Sequence, residues 1–143
     1  MIYLDTCFIA PLVIAEDSSD AVETQVMKVK PGELATGMWT QIELASLIAR
    51  KLRMGELSVA AAKEVRRKLT QILTEFFQML VPTATDFATA AKFLEIPKTG
   101  LRAGDAFHLA IAANGGAKKI LTLDQGFIKA GKQLKLPVSA GIQ

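Results

Sequence analysis

Short apolar runs alternate along this chain with longer segments in which apolar residues recur every three or four positions. The short runs predict β-strands, at residues 2–4, 34–36, 76–81, 120–123 and 136–139. The longer segments predict helices, at residues 18–27, 38–52, 59–74, 85–94, 101–113 and 127–134, and a short helix or turn at residues 8–14. This order of elements is typical of an α/β sandwich around a mainly parallel central sheet.

Local signals support several of these elements. The first strand, Ile2–Leu4, is apolar and uncharged, so we expect it to be buried on both faces and central to the sheet. Ser58 stands at an N-cap position before an alanine-rich segment with strong helix propensity. The stretch 114–116 (Asn-Gly-Gly) is a typical stop at a helix C-terminus.

Composition limits the class of protein. The chain has 143 residues, 50% of them hydrophobic, which favours one ordered domain spanning 1–143. Its single cysteine, Cys7, excludes an internal disulfide and a cysteine-based zinc cluster, and suits a reducing cytosol. Charged residues interrupt every apolar stretch and no signal peptide precedes the first strand, so we expect a cytoplasmic protein without membrane association. The net charge of +3 permits a phosphate-bearing partner without requiring one.

Four carboxylates stand in apolar surroundings, whereas the remaining Asp and Glu residues lie in polar or helix-surface contexts. Asp5 and Asp124 stand at the ends of predicted strands, and Glu43 and Asp105 in the first turns of predicted helices. Because ligands bind at the carboxyl ends of parallel strands, we expect these four side chains to converge there. Converging carboxylates repel unless a cation neutralises them, and oxygen ligands suit Mg²⁺ or Mn²⁺. Such an ion would activate a water for attack on phosphorus.

Three of these acids also have purely structural interpretations. Thr40 and Glu43 match the S/T-x-x-E capping box of a helix start. Asp105 in a first helical turn is favourable with the helix dipole, and Asp124 also fits the start of a turn after a strand. Asp5 is the hardest to explain in this way, because it follows a buried strand directly.

The four acids, with their neighbours, resemble the motifs of the PIN-domain family, and most closely those of the VapC toxins of toxin–antitoxin pairs. The segments that carry the resemblance are YLDTCFIA, TQIE, LRAGDAFHLAIA and LTLDQGF, which together extend over most of the chain. They place Asp5, Glu43, Asp105 and Asp124 as the catalytic, metal-binding acids, with Thr6 and Thr122 as hydrogen-bonding supports. Cys7 departs from the Ser or Asn that family members often carry, which puts a secondary polar contact in doubt.

The resemblance implies a Mg²⁺- or Mn²⁺-dependent endoribonuclease that leaves 5′-phosphate and 3′-hydroxyl ends. It also implies a homodimer and a cognate VapB-like antitoxin that blocks the site, often by inserting a basic residue among the acids. We expect Arg102, just before Asp105, to contact substrate or antitoxin, although a surface ion pair is the alternative. Trp39 is expected either to stack a base or, more ordinarily, to pack in the core. His108, on an apolar helical segment, is expected to be a satisfied structural histidine rather than a catalyst.

Other classes of function are compatible with parts of the pattern. A PIN-like module that binds RNA or protein without cleaving it is the main alternative, and the presence of all four acids argues against it. A phosphotransferase with two Asp residues after its first strand is disfavoured, because Asp5-Thr6-Cys7 lacks the second Asp. Metal-dependent cleavage of DNA remains open, since only contacts to a 2′-hydroxyl distinguish RNA from DNA.

Overall fold

The computed structural model describes residues 1–142. Within them lie five strands, β1 (Ile2–Leu4), β2 (Leu34–Gly37), β3 (Gln78–Leu80), β4 (Lys119–Leu121) and β5 (Val138–Ser139). The α-helices of the same residues are α1 (Thr6–Ile9), α2 (Ser19–Met27), α3 (Trp39–Arg53), α4 (Val59–Phe76), α5 (Ala84–Leu94), α6 (Ala103–Asn114) and α7 (Gln125–Gln133). Short 3₁₀ turns at Ala10–Leu12 and Pro97–Thr99 complete the helical segments.

The strands form one sheet in the order β3-β2-β1-β4-β5, with every pair parallel. The expected α/β sandwich is therefore confirmed, and its sheet is parallel throughout. β1 lies in the centre, and its successive side chains point to opposite faces. Leu4 packs in a core with helices α1, α3 and α4, whereas Tyr3 packs in a second core with α6 and α7. The carboxyl end of β1 thus opens between two layers of helices.

Two sequence signals for helix boundaries are confirmed. The side-chain oxygen of Ser58 accepts the backbone N–H of Ala61 at 3.0 Å, which caps α4. Gly116 follows α6 with a φ of +74°, a conformation that glycine adopts without strain. Among residues 1–142, no helix is both long and apolar enough to cross a membrane.

The third strand is shorter than the sequence predicts. The structure places Phe76 in α4, and the strand extends only from Gln78 to Leu80. The reason is an apolar stripe that keeps helical spacing to the end of α4 and packs into the core under the sheet. Its buried members are Val65, Leu69, Leu73 and, directly after the helix, Phe77.

The segment after β4 also differs from the prediction, since the strand ends at Leu121 rather than at residue 123. The N–H of Leu123 is donated to Cys7 Sγ at 3.2 Å, and the N–H of Asp124 to Thr122 Oγ1 at 3.1 Å. These N–H groups bond to side chains at the sheet edge instead of to a strand, so the chain turns early. The helix α6 begins at Ala103, two residues later than expected, because Arg102 is extended (φ −90°, ψ 161°).

Candidate active site

Asp5 lies directly after β1 and is the N-cap of α1. Its Oδ1 accepts the backbone N–H of Phe8 at 3.0 Å, and its Oδ2 accepts the hydroxyl of Thr122 at 2.7 Å. The residue is only 5% exposed, and this burial raises the pKa of the Asp5 carboxyl. The protein therefore holds a carboxylate where its negative charge is costly unless a cation approaches.

The thiol of Cys7 lies against this carboxylate. Its Sγ is 3.2 Å from both oxygens of Asp5 and 3.1 Å from Thr122 Oγ1. Burial raises the pKa of Cys7 to about 12, so the side chain is a protonated thiol that donates a hydrogen bond. The secondary polar contact placed in doubt by the sequence is thus made here through sulfur.

Glu43 reaches the same region from the second turn of α3. Its Oε2 accepts a short hydrogen bond from the Thr6 hydroxyl and lies 2.6 Å from His108 Nε2. Partial burial acts to raise the pKa of Glu43, but the hydrogen bonds from His108 and Thr6 outweigh it, and the pKa is lowered. Glu43 is therefore held as a carboxylate.

The capping-box interpretation of Glu43 is wrong. The N-cap of α3 is Met38, which makes no side-chain capping bond. Thr40 lies inside the helix and is fully buried, and its hydroxyl pairs with Thr36 Oγ1 at 2.8 Å. The Thr40 side chain turns inward to this polar pair, and Glu43, one turn further along α3, is bonded to His108 at the cleft.

Asp105 and Asp124 are joined by Arg102. The guanidinium places Nε 3.3 Å from Asp105 Oδ2 and Nη2 3.2 Å from Asp124 Oδ2. Asp124 is also the N-cap of α7, because its Oδ1 accepts the N–H of Phe127 at 3.0 Å. Asp124 therefore has a structural role through one oxygen, as a helix cap rather than as the start of a turn, while its other oxygen faces the Arg102 guanidinium. The surface ion pair considered as the alternative for Arg102 is present, and its side chain is 77% exposed. Contact of Arg102 with substrate or antitoxin stays a prediction.

One open cleft of about 620 Å³ brings the candidate acids together. Its lining includes Asp5, Glu43, Asp105 and Asp124, together with Thr6, Trp39, Arg50, Arg102 and His108. Thr122 stands behind Asp5 as its hydrogen-bond donor. The four acids thus converge as the sequence predicts, and their role as metal ligands stays a prediction.

The fit of this site to a divalent cation rests on its donor chemistry. Across residues 1–142, no three His, Cys, Asp or Glu side chains already stand in a metal-binding arrangement. In this arrangement Glu43 Oε2 is bonded to Thr6 and His108, while Asp105 and Asp124 hold Arg102. Carboxylate oxygens at the end of a parallel sheet nevertheless match the ligands that Mg²⁺ and Mn²⁺ prefer. The Arg102 guanidinium shows that the position between Asp105 and Asp124 is favourable for a positive charge.

His108 is the site residue that sequence reasoning undervalued. It is buried and hydrogen-bonded, as expected of a structural histidine, but its partners belong to the cleft. The available signal was the spacing of three between Asp105 and His108, which puts both on one side of α6.

Trp39 packs against the core and also lines the cleft. Its ring packs edge-to-face on Phe107, with centroids 5.5 Å apart, and it also lines the cleft. A methyl group added to Gly104 would stand 2.8 Å from Glu43 Oε1 and 3.5 Å from Trp39 Nε1. The indole therefore forms part of the wall beside Glu43, and base stacking by Trp39 stays a prediction.

A family model for the PIN domain matches residues 2–133 of this chain. The chain belongs to the PIN-domain family. This confirms the family suggested by the sequence motifs. No curated protein matches the chain in sequence.

Solved structures with the same fold include toxin–antitoxin proteins. FitAcB from Neisseria gonorrhoeae is 20% identical, with a TM-score of 0.75. The alignment covers 99% of this chain and 98% of that chain. VapC20 from Mycobacterium tuberculosis, described as a sarcin-ricin loop cleaving toxin, is 17% identical (TM-score 0.71; 92% and 95% covered). VapBC2 from Rickettsia felis, bound to promoter DNA, is 18% identical (TM-score 0.67; 97% and 98% covered). At these identities the likeness establishes the shared fold.

Proposed function

We propose that this PIN domain is a metal-dependent endoribonuclease and the toxin component of a toxin–antitoxin pair. The observation that carries the proposal is the convergence of Asp5, Glu43, Asp105 and Asp124 on one open cleft at the carboxyl edge of the sheet. The similar structures support it, because VapC20 is described as a sarcin-ricin loop cleaving toxin and VapBC2 as bound to a DNA fragment from its promoter.

The four acids would hold one or two Mg²⁺ or Mn²⁺ ions, directly or through waters. When bound, the metal would activate a water for in-line attack on a phosphodiester and stabilise the leaving 3′ oxygen. Asp5 is fixed for this task by Thr122, Cys7 and the α1 backbone, and Glu43 by Thr6 and His108. Arg50 and Arg102 supply positive charge at the cleft wall for RNA phosphates.

The proposed partners are an RNA substrate, a VapB-like antitoxin and a second copy of the chain, all in the cytoplasm. Arg102 shows that a guanidinium fits between Asp105 and Asp124, which is the contact that a basic antitoxin residue would make. Exposed apolar side chains on two helices, Ile42 and Phe87, suit a homodimer surface.

The test is cleavage of a mixed, structured RNA pool by purified protein with Mg²⁺, with Mn²⁺ and with EDTA. We expect cuts only with a metal, and products with 5′-phosphate and 3′-hydroxyl ends. Products with 2′,3′-cyclic phosphate would contradict the mechanism, because they arise from attack by the 2′-hydroxyl rather than by water. RNA binding without cleavage, by a folded protein that binds Mn²⁺, would favour the alternative of a catalytically silent binding module.

Replacement of Arg102 by glutamine is expected to strengthen Mn²⁺ binding and weaken RNA binding. The Arg102 guanidinium competes with a metal for Asp105 and Asp124. Replacing it by glutamine also removes a positive charge from the cleft. Because this ion pair is exposed, the expected effect on Mn²⁺ affinity is modest, about two- to fivefold. Arg67→Gln, which breaks the exposed Arg67–Glu64 pair on α4, is the matched control and should change neither affinity. Weaker Mn²⁺ binding in Arg102→Gln would show that Arg102 supports the acids instead of competing for them.

A further inference from the structure

A buried chain of hydrogen bonds leads from the central strand to Glu43. The hydroxyl of Tyr3, a fully buried residue of β1, accepts the backbone N–H of Gly37 at 3.1 Å. The same hydroxyl lies 2.8 Å from Nδ1 of His108. A tyrosine phenol keeps its proton at neutral pH. Since Gly37 can only donate, the phenol proton is left for His108 Nδ1, which accepts it.

This arrangement determines which nitrogen of His108 carries the ring proton. With Nδ1 as the acceptor, a neutral ring has its hydrogen on Nε2. Nε2 faces Glu43 Oε2 at 2.6 Å and Thr6 Oγ1 at 3.1 Å. The opposite tautomer would set a nitrogen lone pair against the carboxylate and would leave His108 Nδ1 unable to accept the Tyr3 proton.

The consequence for Glu43 is that its two oxygens differ. Oε2 is engaged by His108 and by the Thr6 hydroxyl. Oε1 lies against the backbone of α6, where a side chain at Gly104 would come within 2.8 Å of it. The carboxylate is therefore held from one side by His108 and confined on the other by the helix that carries Asp105.

We propose that Tyr3 and His108 are a positioning pair that holds Glu43 by Oε2, so that Oε1 is the oxygen presented to a divalent cation. This inference rests on the proposed nuclease function and assigns Glu43 as a one-oxygen ligand. In this role neither Tyr3 nor His108 would itself bind the metal. Their effect passes through Glu43, in the way that outer hydrogen-bond partners orient metal ligands.

The first test reads the tautomer directly. His108 is the only histidine in the chain, so its ring nitrogens can be observed by ¹⁵N NMR without ambiguity of assignment. In the metal-free wild type at pH values where the ring is neutral, we expect the proton on Nε2. Tyr3→Phe keeps the ring but removes the donor to Nδ1, and should yield a mixture of tautomers. A proton on Nδ1 in the wild type, or an unchanged spectrum in Tyr3→Phe, would overturn the pair.

The second test measures Mn²⁺ affinity by the EPR signal of the free ion, independently of RNA cleavage. His108→Met fills similar volume without a hydrogen-bond donor, and we expect about 10- to 100-fold weaker binding. His108→Gln retains an N–H donor on a side chain of similar length and should recover part of the affinity. Equal losses in the two variants would show that His108 contributes packing alone. Should His108→Met fail to fold, Tyr3→Phe takes its place and is expected to weaken binding in the same direction.

The two tests separate this inference from the proposed function. Absence of Mn²⁺ binding by folded wild-type protein would overturn both the nuclease proposal and the presentation of Oε1 to a metal. The NMR result would still decide whether Tyr3 sets the His108 tautomer. Normal Mn²⁺ binding in both His108 variants would overturn the positioning role while leaving the nuclease proposal intact.

Discussion

Replacement of Asp5 by asparagine is expected to abolish metal-dependent RNA cleavage while preserving the fold. Asp5 is the most deeply buried of the four acids, and its carboxylate is oriented by Phe8, Thr122 and Cys7. Loss of hydrogen-bond partners around a metal ligand already costs about 10- to 100-fold, so loss of the ligand's charge should reduce cleavage by at least about 100-fold. Cleavage rates and Mn²⁺ affinity of the purified variant are the measurements.

The same variant should be at least as stable as the wild type in the absence of metal. Burial raises the pKa of Asp5 in the folded protein, so folding favours its protonated form. The stability contribution of such a group is complete below the unfolded pKa, about 3.9, and is lost as pH rises through the folded pKa. Asparagine carries no charge at any pH. In EDTA, the thermal midpoint of the Asp5→Asn variant should therefore equal or exceed that of the wild type at neutral pH. The difference between the two midpoints should shrink below about pH 4.

Asp86→Asn is the matched control for Asp5→Asn. Asp86 is also a buried acid at the start of a helix, but it lies outside the cleft and bonds to Thr83 and Asn114. Burial acts to raise the pKa of Asp86, yet these hydrogen bonds outweigh it and the pKa is lowered. This carboxylate therefore stabilises the fold above the unfolded pKa and loses that contribution as pH falls through the folded pKa. Asp86→Asn should lower the thermal midpoint at neutral pH and leave RNA cleavage unchanged. Full RNA cleavage by folded Asp5→Asn protein would refute the assignment of Asp5 as a catalytic acid.

Much of the fold could be predicted because its signals are local. The uncharged run at residues 2–4, the Ser58 cap and the glycine stop after α6 each act within a few residues, and the structure confirms them. The convergence of the acids could be predicted as well, since parallel strands end at one edge of the sheet.

The misjudged features depend on how the chain packs in three dimensions. Thr40 matches a capping box in sequence, but its hydroxyl pairs with Thr36 inside the fold. His108 reads as a core histidine, and only the approach of α3 brings Glu43, 65 residues away, within hydrogen-bond distance. Periodicity and local motifs contain no information on such pairs. The supporting layer of a site is therefore harder to predict than its acids.

Gly104→Ala is expected to impair metal binding by about 10- to 100-fold without weakening the fold. Gly104 lies in the first turn of α6, and an added methyl group would stand 2.8 Å from Glu43 Oε1. The end of a flexible side chain can move away from that contact, so the helix need not shift. Alanine is also favoured over glycine inside a helix by about 0.5–1 kcal/mol, which offsets any local strain. Thermal unfolding should therefore be close to that of the wild type, while Mn²⁺ affinity and cleavage fall.

A double-mutant cycle with Glu43→Asp distinguishes displacement of Glu43 from a general disturbance of α6. Aspartate is one methylene shorter, so its carboxylate should withdraw from the new methyl group. Glu43→Asp alone should weaken Mn²⁺ binding, because Oε1 no longer reaches its position. The double variant should then lose little more than Glu43→Asp alone, since both changes act on the same oxygen and residues in contact are not additive. Full additivity of the two losses would mean that Gly104→Ala acts elsewhere, and Oε1 of Glu43 would not be the oxygen that faces the metal.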